Sequence, residues 1–464
     1  VYGPPPDPAE LPIDLAAHPG LILVCVLLGL GITGLVGQRK LPVWGRALAF
    51  MVGQVVMLTA PLTLTLGRWV YGSWPTIDKT GSLQFYLDGA HARMYLHPLE
   101  SLSDPAVRLI GVHIGHHWLT ALFDVVLPPF GALNASGVFY VLLAWGACAL
   151  FAWELQDADR ASDRRMWVAL LAGAPFGLGL HVFRDLNWYT IEKVAVGLLA
   201  LFAWACLRAS KDRRWVPLPA LIFGVTALTN LYLAMVAGVA LFSVWVVALA
   251  GHRRLSRTVL HLAVAGVLCL AAAVPIAAYQ AVLLDGLCGQ LADPEAYLHQ
   301  RAALDNFSLW PLAWNRLEVW RALNLPLIGL AIWAAIRSPT ARGLVISAVP
   351  LFGLALGPFL FEDVQNPVYM GLRAVAPGFW RVATPEVFFE GSYVLLLGAS
   401  ALGMNHALDR VQALSRRPWL LWLVYGAGWL LLVRTHPVFP GFSEYVDVPL
   451  NTEWEARLQV DCAP

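Results

Sequence analysis

The sequence predicts an all-α, polytopic membrane protein of about twelve transmembrane helices with large outer loops, and three observations carry that expectation. Only 13% of the 464 residues are charged and 58% are hydrophobic, with a mean hydropathy of +0.64. A soluble domain carries about a quarter charged residues. Apolar runs close to the roughly 20 residues that cross a bilayer as helix recur along the whole chain. The 20 tryptophans fit the same class, because indoles settle at the water–lipid interface. The net charge of +1 is uninformative about nucleic acid, and with no basic face to neutralise phosphates no nucleic-acid partner is expected.

Taken in order, residues 1–19 are proline-rich and acidic without Lys or Arg, the composition of a translocated outer arm. The transmembrane domain covers 20–433. Its first span, 20–37, is closed by Gln38-Arg39-Lys40, and Arg46 opens the second, 47–66. An outer loop at 67–131 follows, within which 118–127 is apolar enough for a re-entrant or interfacial helix. Span 135–153 returns the chain to a charged turn. Spans 166–183 and 190–206 form a hairpin with the outer tip HVFRDLNWYTIEK. Residues 217–229 and 231–250 read as one short and one full span meeting at Thr229-Asn230. Span 258–283 leads to a second outer loop, 284–324, and spans 326–336, 343–360, 387–406 and 419–433 complete the domain. An acidic outer tail, 434–464, ends it.

Charge orients this map. Short turns on one side collect Arg39, Lys40 and Arg46, then Arg160, Arg164 and Arg165, then Arg208, Lys211, Arg213 and Arg214. Arg253, Arg254, Arg257, Arg337, Arg342, Arg410, Arg416 and Arg417 continue the pattern. Lys and Arg in short loops mark the inner side, so both termini are expected outside. The chain begins without a basic n-region, and no cleavable signal peptide is expected. No Lys or Arg falls at a helix centre on this map, which argues against an ion or proton relay, and no repeated halves suggest a secondary transporter. P-loop, GxSxG, HExxH and dinucleotide fingerprints are all missing, so ATP-driven transport and nicotinamide chemistry lack support.

Chemistry is then expected at the outer face. The stretch 74–118 is the longest polar interval and carries Asp78, Asp88, Glu100 and Asp104 with His91, His97, His113, His116 and His117. A carboxylate at Asp78, just above the membrane in TIDKTG, suits a general base acting on a hydroxyl; Asp88 is the weaker candidate. His113, His116 and His117 stand at i, i+3 and i+4, a spacing that could hold zinc or another divalent metal on one helix face, or simply a cluster of interfacial histidines. His181, Arg184, Asp185, Asn187, Glu192 and Lys193 crowd one outer turn and could bind a polar head group or phosphate. Arg373 and Arg381 flank PGFW in a late outer loop, and the planar guanidinium fork matches phosphate oxygens. Cys25, Cys148, Cys206 and Cys269 lie in apolar runs as small hydrophobes. Cys288 and Cys462 both fall in outer segments, where a disulfide would tie down a tail with little else to pack against.

The order of landmarks resembles the C-superfamily (GT-C) of membrane glycosyltransferases, in particular its bacterial YfhO-like branch. The matching residues are Asp78 through Phe85 (DKTGSLQF), then LPPFGALNASGVFYVLLAW, LTNLYLAM, LALGPFL and PGFWRVATPEVFF. The sequence departs from the family in its extra first span and in Glu386, which follows Pro385 where relatives carry an arginine. The resemblance implies a GT-C-like fold in a bacterial inner membrane. It also implies transfer of a sugar, with inversion, from a polyprenyl-phosphate-linked donor to an acceptor at the outer, periplasmic face. Asp78 would be the base, and Arg373 or Arg381, with Arg184 or Lys193, would stabilise the departing lipid phosphate. Besides the lipid-linked sugar and membrane lipids, the extra span and acidic tail leave room for protein partners in a membrane complex. A non-catalytic GT-C-like subunit that docks such partners is the second reading.

Overall fold

In the computed structural model, the described residues are 12–13, 18–38, 40–64, 69–71, 114–127, 129–179, 182, 194–251, 256–285, 307–308, 321–322, 325–361, 364–375, 387–410, 419 and 445–447. They contain thirteen α-helices. In chain order these are α1 Pro19–Gly34, α2 Val43–Leu64, α3 Ile114–Asp124, α4 Pro129–Leu155, α5 Ser162–Gly177, α6 Gly197–Lys211 and α7 Pro217–Thr229. Then come α8 Leu231–Gly251, α9 Arg257–Asp285, α10 Leu325–Arg337, α11 Pro339–Ala355, α12 Pro367–Val375 and α13 Phe388–Arg410. The stretches Pro19–Gly37, Gly131–Leu155, Leu231–Gly251 and Arg257–Gln280 are long and apolar enough to cross a membrane. The protein is an all-α, membrane-embedded bundle.

Local chemistry explains most boundaries. Pro217 supplies the first turn of α7, where its missing N–H is no loss. Asn230 separates α7 from α8: its Oδ1 accepts from the N–H groups of Tyr232 (2.9 Å) and Leu233 (3.3 Å), a side-chain cap on α8. Helix α11 begins at Pro339, four residues before the expected span, because Ser338 caps it through Ala341 N–H. It stops at Ala355, short of the expected 360, where Gly357 takes φ 75°, a left-handed turn that glycine adopts without strain. Asn366 locks that turn, its Nδ2 donating to the carbonyls of Gly353 (2.6 Å) and Gly357 (2.8 Å). Likewise α5 ends at Gly177 rather than 183, with Pro175 in its last turn.

The core lies where α4, α5, α6 and α13 meet. Gly173 and Gly177, one turn apart on α5, let its backbone press against Trp145 of α4, since a Cβ at Gly177 would come within 2.6 Å of Trp145 N. Close backbone approach through small residues is how helices associate when lipid removes the hydrophobic drive between them. The Trp145 indole N–H donates to Leu170 O at 2.9 Å, so the buried ring is satisfied.

Ion pairs gather at one end of the bundle. Arg46 pairs with Asp163, Arg160 and Arg164 with Asp409, and Arg208 and Lys211 with Glu154. These residues belong to the start of α2 and α5, the ends of α4, α6 and α13, and the turn before α5, so all those termini share one basic end. The other end has short β-pairings. Strands β1 Pro12–Ile13, β2 Trp69–Tyr71 and β7 Tyr445–Asp447 form an antiparallel sheet in the order β1-β7-β2. The tail therefore does pack, against both the arm and the start of the large loop, contrary to the expectation that it has little to hold it. Strands β3 Phe307–Ser308 and β4 Arg321–Ala322 pair in parallel, and β5 Phe359–Phe361 with β6 Val364–Gln365 antiparallel.

Candidate functional site

The site is built where α3 wedges against α4 and α7 at the end opposite the ion pairs. Gly115 makes the wedge fit: a Cβ there would lie 2.6 Å from Thr229 Oγ1 and 3.0 Å from Thr229 N at the end of α7. One turn of α3 then carries His116, His117 and Thr120 fully inside. The first turns of the helix hold both histidines away from water, whereas the apolar segment 118–127, expected as an interfacial or re-entrant helix, leaves Leu122, Val125 and Val126 exposed.

Among the described residues, Thr120, Ser136 and the Tyr140 ring stand nearest His116. Thr120 Oγ1 lies 3.0 Å from Ser136 Oγ, 3.2 Å from His116 O and 3.5 Å from His116 Nε2, the last a long contact. Ser136 Oγ is also 3.0 Å from Ala132 O. Each hydroxyl has one proton and several acceptors, so a proton on His116 Nε2 or on either hydroxyl changes the direction of its neighbours' bonds. His116 stands 5.8 Å from the Tyr140 ring and 5.5 Å from His117, centroid to centroid. Buried Asn134, Thr226 and Thr229 add polar groups at this level, and Gln280 near the end of α9 donates to Ala227 O at 3.0 Å.

Glu390 is the residue that the sequence reading missed. It is fully buried in the first turn of α13, next in sequence to Phe389, whose ring stacks on Tyr393. The signal was present: FFEGSYVLLL places one acid inside an otherwise apolar span, and ionisable residues in spans are functional candidates.

The structure places three of the expected site residues. His116 and His117 come together with Thr120 and Tyr140, while Arg373 lies half-buried in the last turn of α12. Asp78, Asp88, His113, His181, Arg184, Lys193, Arg381, Cys288 and Cys462 lie outside the described residues, as does the expected span 419–433 apart from Trp419. Among the described residues no group of three His, Cys, Asp or Glu is set to hold a metal, and the third histidine of the expected set is not one of them. Cys25, Cys148, Cys206 and Cys269 are buried free thiols.

A cavity of about 740 Å³ lies nearer the basic end, between α4, α6, α8, α9, α11 and α13. Its walls are almost wholly apolar. Fold and site together define an all-α membrane protein with a buried polar layer at one end and an ion-paired layer at the other. No protein-family model matches the chain, and no curated protein or solved structure matches it either.

Proposed function

We propose that the protein transfers a sugar from a polyprenyl-phosphate carrier to an acceptor at the outer face of a bacterial inner membrane. In this reading it has about twelve spans in a GT-C-like arrangement and both termini outside. The observation that carries it is the buried polar layer of α3, α4 and α7, whose first helix begins inside the long polar stretch 74–118. The sheet that joins the arm, the tail and the start of that loop supports their sharing one side. Lys and Arg in the turns of the opposite end support that end as the inner one.

In the proposed mechanism Asp78 removes the acceptor hydroxyl's proton as that oxygen attacks the anomeric carbon. The bond to the carrier phosphate breaks with inversion, and Arg373 or Arg381 stabilises the departing phosphate, with Arg184 or Lys193 assisting. Layer residues His116 and Thr120 would support the loop from below rather than react. Asp78→Asn should lower transfer from a lipid-linked sugar by about 10²–10⁴-fold, with donor binding nearly unchanged. Loss with Asp88→Asn and not Asp78→Asn would move the base to Asp88. Full activity in both variants would favour the second reading, a non-catalytic subunit. One observation already favours that alternative: the large apolar cavity lies toward the basic end, away from the polar layer.

A further inference from the structure

The cavity has a floor of small and branched side chains on α8, Ala237, Leu241, Val244 and Ala248, and a roof that includes Val394 and Leu395 of α13. It follows α8 from Ala237 to Gly251, a helical rise of about 20 Å, which is more than the ~15 Å of one leaflet's hydrocarbon. Both α8 and α9 are helices of membrane-spanning length, so the cavity sits at hydrocarbon depth. Of the four hydroxyls that line it, those of Ser210 and Ser347 are already used: Ser210 Oγ donates to Leu207 O at 2.7 Å and Ser347 Oγ to Gly343 O at 2.8 Å. Such a wall gives water too few partners to stay. It gives an alkyl chain continuous contact, and about 740 Å³ is ample for one.

The mouth differs from the interior. Pro339, Thr340, Arg342 and Ile346 of α11 line it and are exposed, and the start of α9 lies beside them at Thr258. Arg342 donates through Nε to Ala335 O (3.0 Å) and through Nη2 to Ile336 O (3.3 Å), which fixes the guanidinium on the end of α10. Two of its five N–H groups are thereby used, and the others remain to meet an anion. Arg257, exposed in the first turn of α9, adds a second positive charge at the same end.

We propose that this cavity is a binding site for one acyl chain of an anionic phospholipid, drawn from the leaflet at the basic end, with the lipid phosphate at Arg342. Apolar depth and cationic mouth match the two parts of that molecule, and the apolar depth has no counterpart in a small polar metabolite. The site does not depend on the sugar-transfer reading, since the two lie toward opposite ends of the bundle.

The test uses the full chain in phosphatidylcholine vesicles doped with either phosphatidylglycerol or phosphatidylcholine carrying a photoactivatable diazirine in one acyl chain. Crosslinked peptides are mapped by mass spectrometry. Label is expected in the peptides containing 244–251 and 258–262, with phosphatidylglycerol ahead by about fivefold for one arginine near the surface. Arg342→Gln should bring the two lipids close to parity while label persists. Gly343 lines the cavity, and a Cβ there meets only Val247 at 3.7 Å, so Gly343→Phe should fill the part just behind the mouth and remove most label from those peptides. Gly329→Phe on α10, where a Cβ meets nothing within 4 Å, should leave label unchanged. Should Gly343→Phe fail to fold, Ile346→Trp at the mouth serves the same purpose. Label that ignores both Arg342→Gln and the filling variant would mean only annular lipid and would overturn the site. Displacement of label by a polyprenyl phosphate but not by excess phosphatidylglycerol would overturn the choice of occupant.

Discussion

The two ends of this bundle are held by different chemistry. At the basic end, Arg160 and Arg164 reach Asp409 at 3.0 and 2.7 Å, and Lys211 and Arg208 reach Glu154 at 2.9 and 3.2 Å, each pair with at least one partner partly open to solvent. At the polar end, His116, Thr120, Ser136, Thr229 and Asn230 are neutral or singly titratable groups buried among helix ends. Ion pairs fix helix termini firmly but contribute modestly when exposed, whereas a buried polar group must have its partner or incur the full desolvation cost. A charged end and a buried polar end suit different tasks: anchoring and lipid binding for the first, and reaction for the second.

This contrast sets an order of expected effects. The largest should come where burial and charge meet, at Asn405. Its Nδ2 donates to Gln156 Oε1 at 2.9 Å, and its Oδ1 and backbone carbonyl accept from Arg164 at 3.1 and 2.6 Å. Asn405→Leu strands both Gln156 and the Arg164 Nε, and should cost about 2–4 kcal/mol in chemical unfolding from detergent micelles. A loss no larger than that of an exposed ion pair would erase the distinction drawn between buried and exposed bonds.

Next comes Thr120→Val, which keeps the shape but removes the hydroxyl shared by His116 and Ser136. About 1–2 kcal/mol should be lost, with Thr120→Ser recovering most of it. Equal losses in both variants would mean that packing of the methyl group, not the hydrogen bond, holds α3.

Much of this organisation was legible in the sequence, and the reasons are local. Pro217 and Asn230 mark the ends of α7 and α8 within a residue of where they fall, because a helix-starting proline and a capping asparagine act within one turn. The expected spans that run past Pro175 and Gly357-Pro358 are too long, since a window of apolar residues does not register a helix end there, whereas α9 passes through Pro275 without stopping. The sheet between the arm and the tail was not legible: pairing Pro12 with Val446 joins segments at opposite ends of the chain, and two- or three-residue strands leave no period to read. Nor was the cavity, which is a gap left by six helices rather than a property of any one of them. Within the candidate site, His116 and His117 were found from their spacing, but their burial was not, because it depends on Gly115 meeting Thr229.

The smallest effect should be at Asp409. Hydrogen bonds from Arg160, and then from Arg164, hold its carboxyl below the usual range despite partial burial. A depressed folded value means the contribution is present at neutral pH and is lost as pH falls through that value, below the ordinary carboxylate region near ~4. With the side chain 45% exposed, Asp409→Asn should cost no more than about 1 kcal/mol at pH 7, and the difference from the parent should vanish toward acid pH. A difference that persists at low pH would place the stabilisation in shape rather than charge.

The most direct test of the division between the two ends is a sidedness assay. The protein is reconstituted with a polyprenyl-phosphate-linked sugar, and vesicles are sorted by protease access to a tag on the 434–464 tail. A membrane-impermeant acceptor is then added outside. Transfer is expected only in vesicles whose tail and polar end face the acceptor, and it should disappear in those of opposite orientation and in Asp78→Asn. Transfer only from the basic end, or equally from both, would contradict the assignment of chemistry to the polar end.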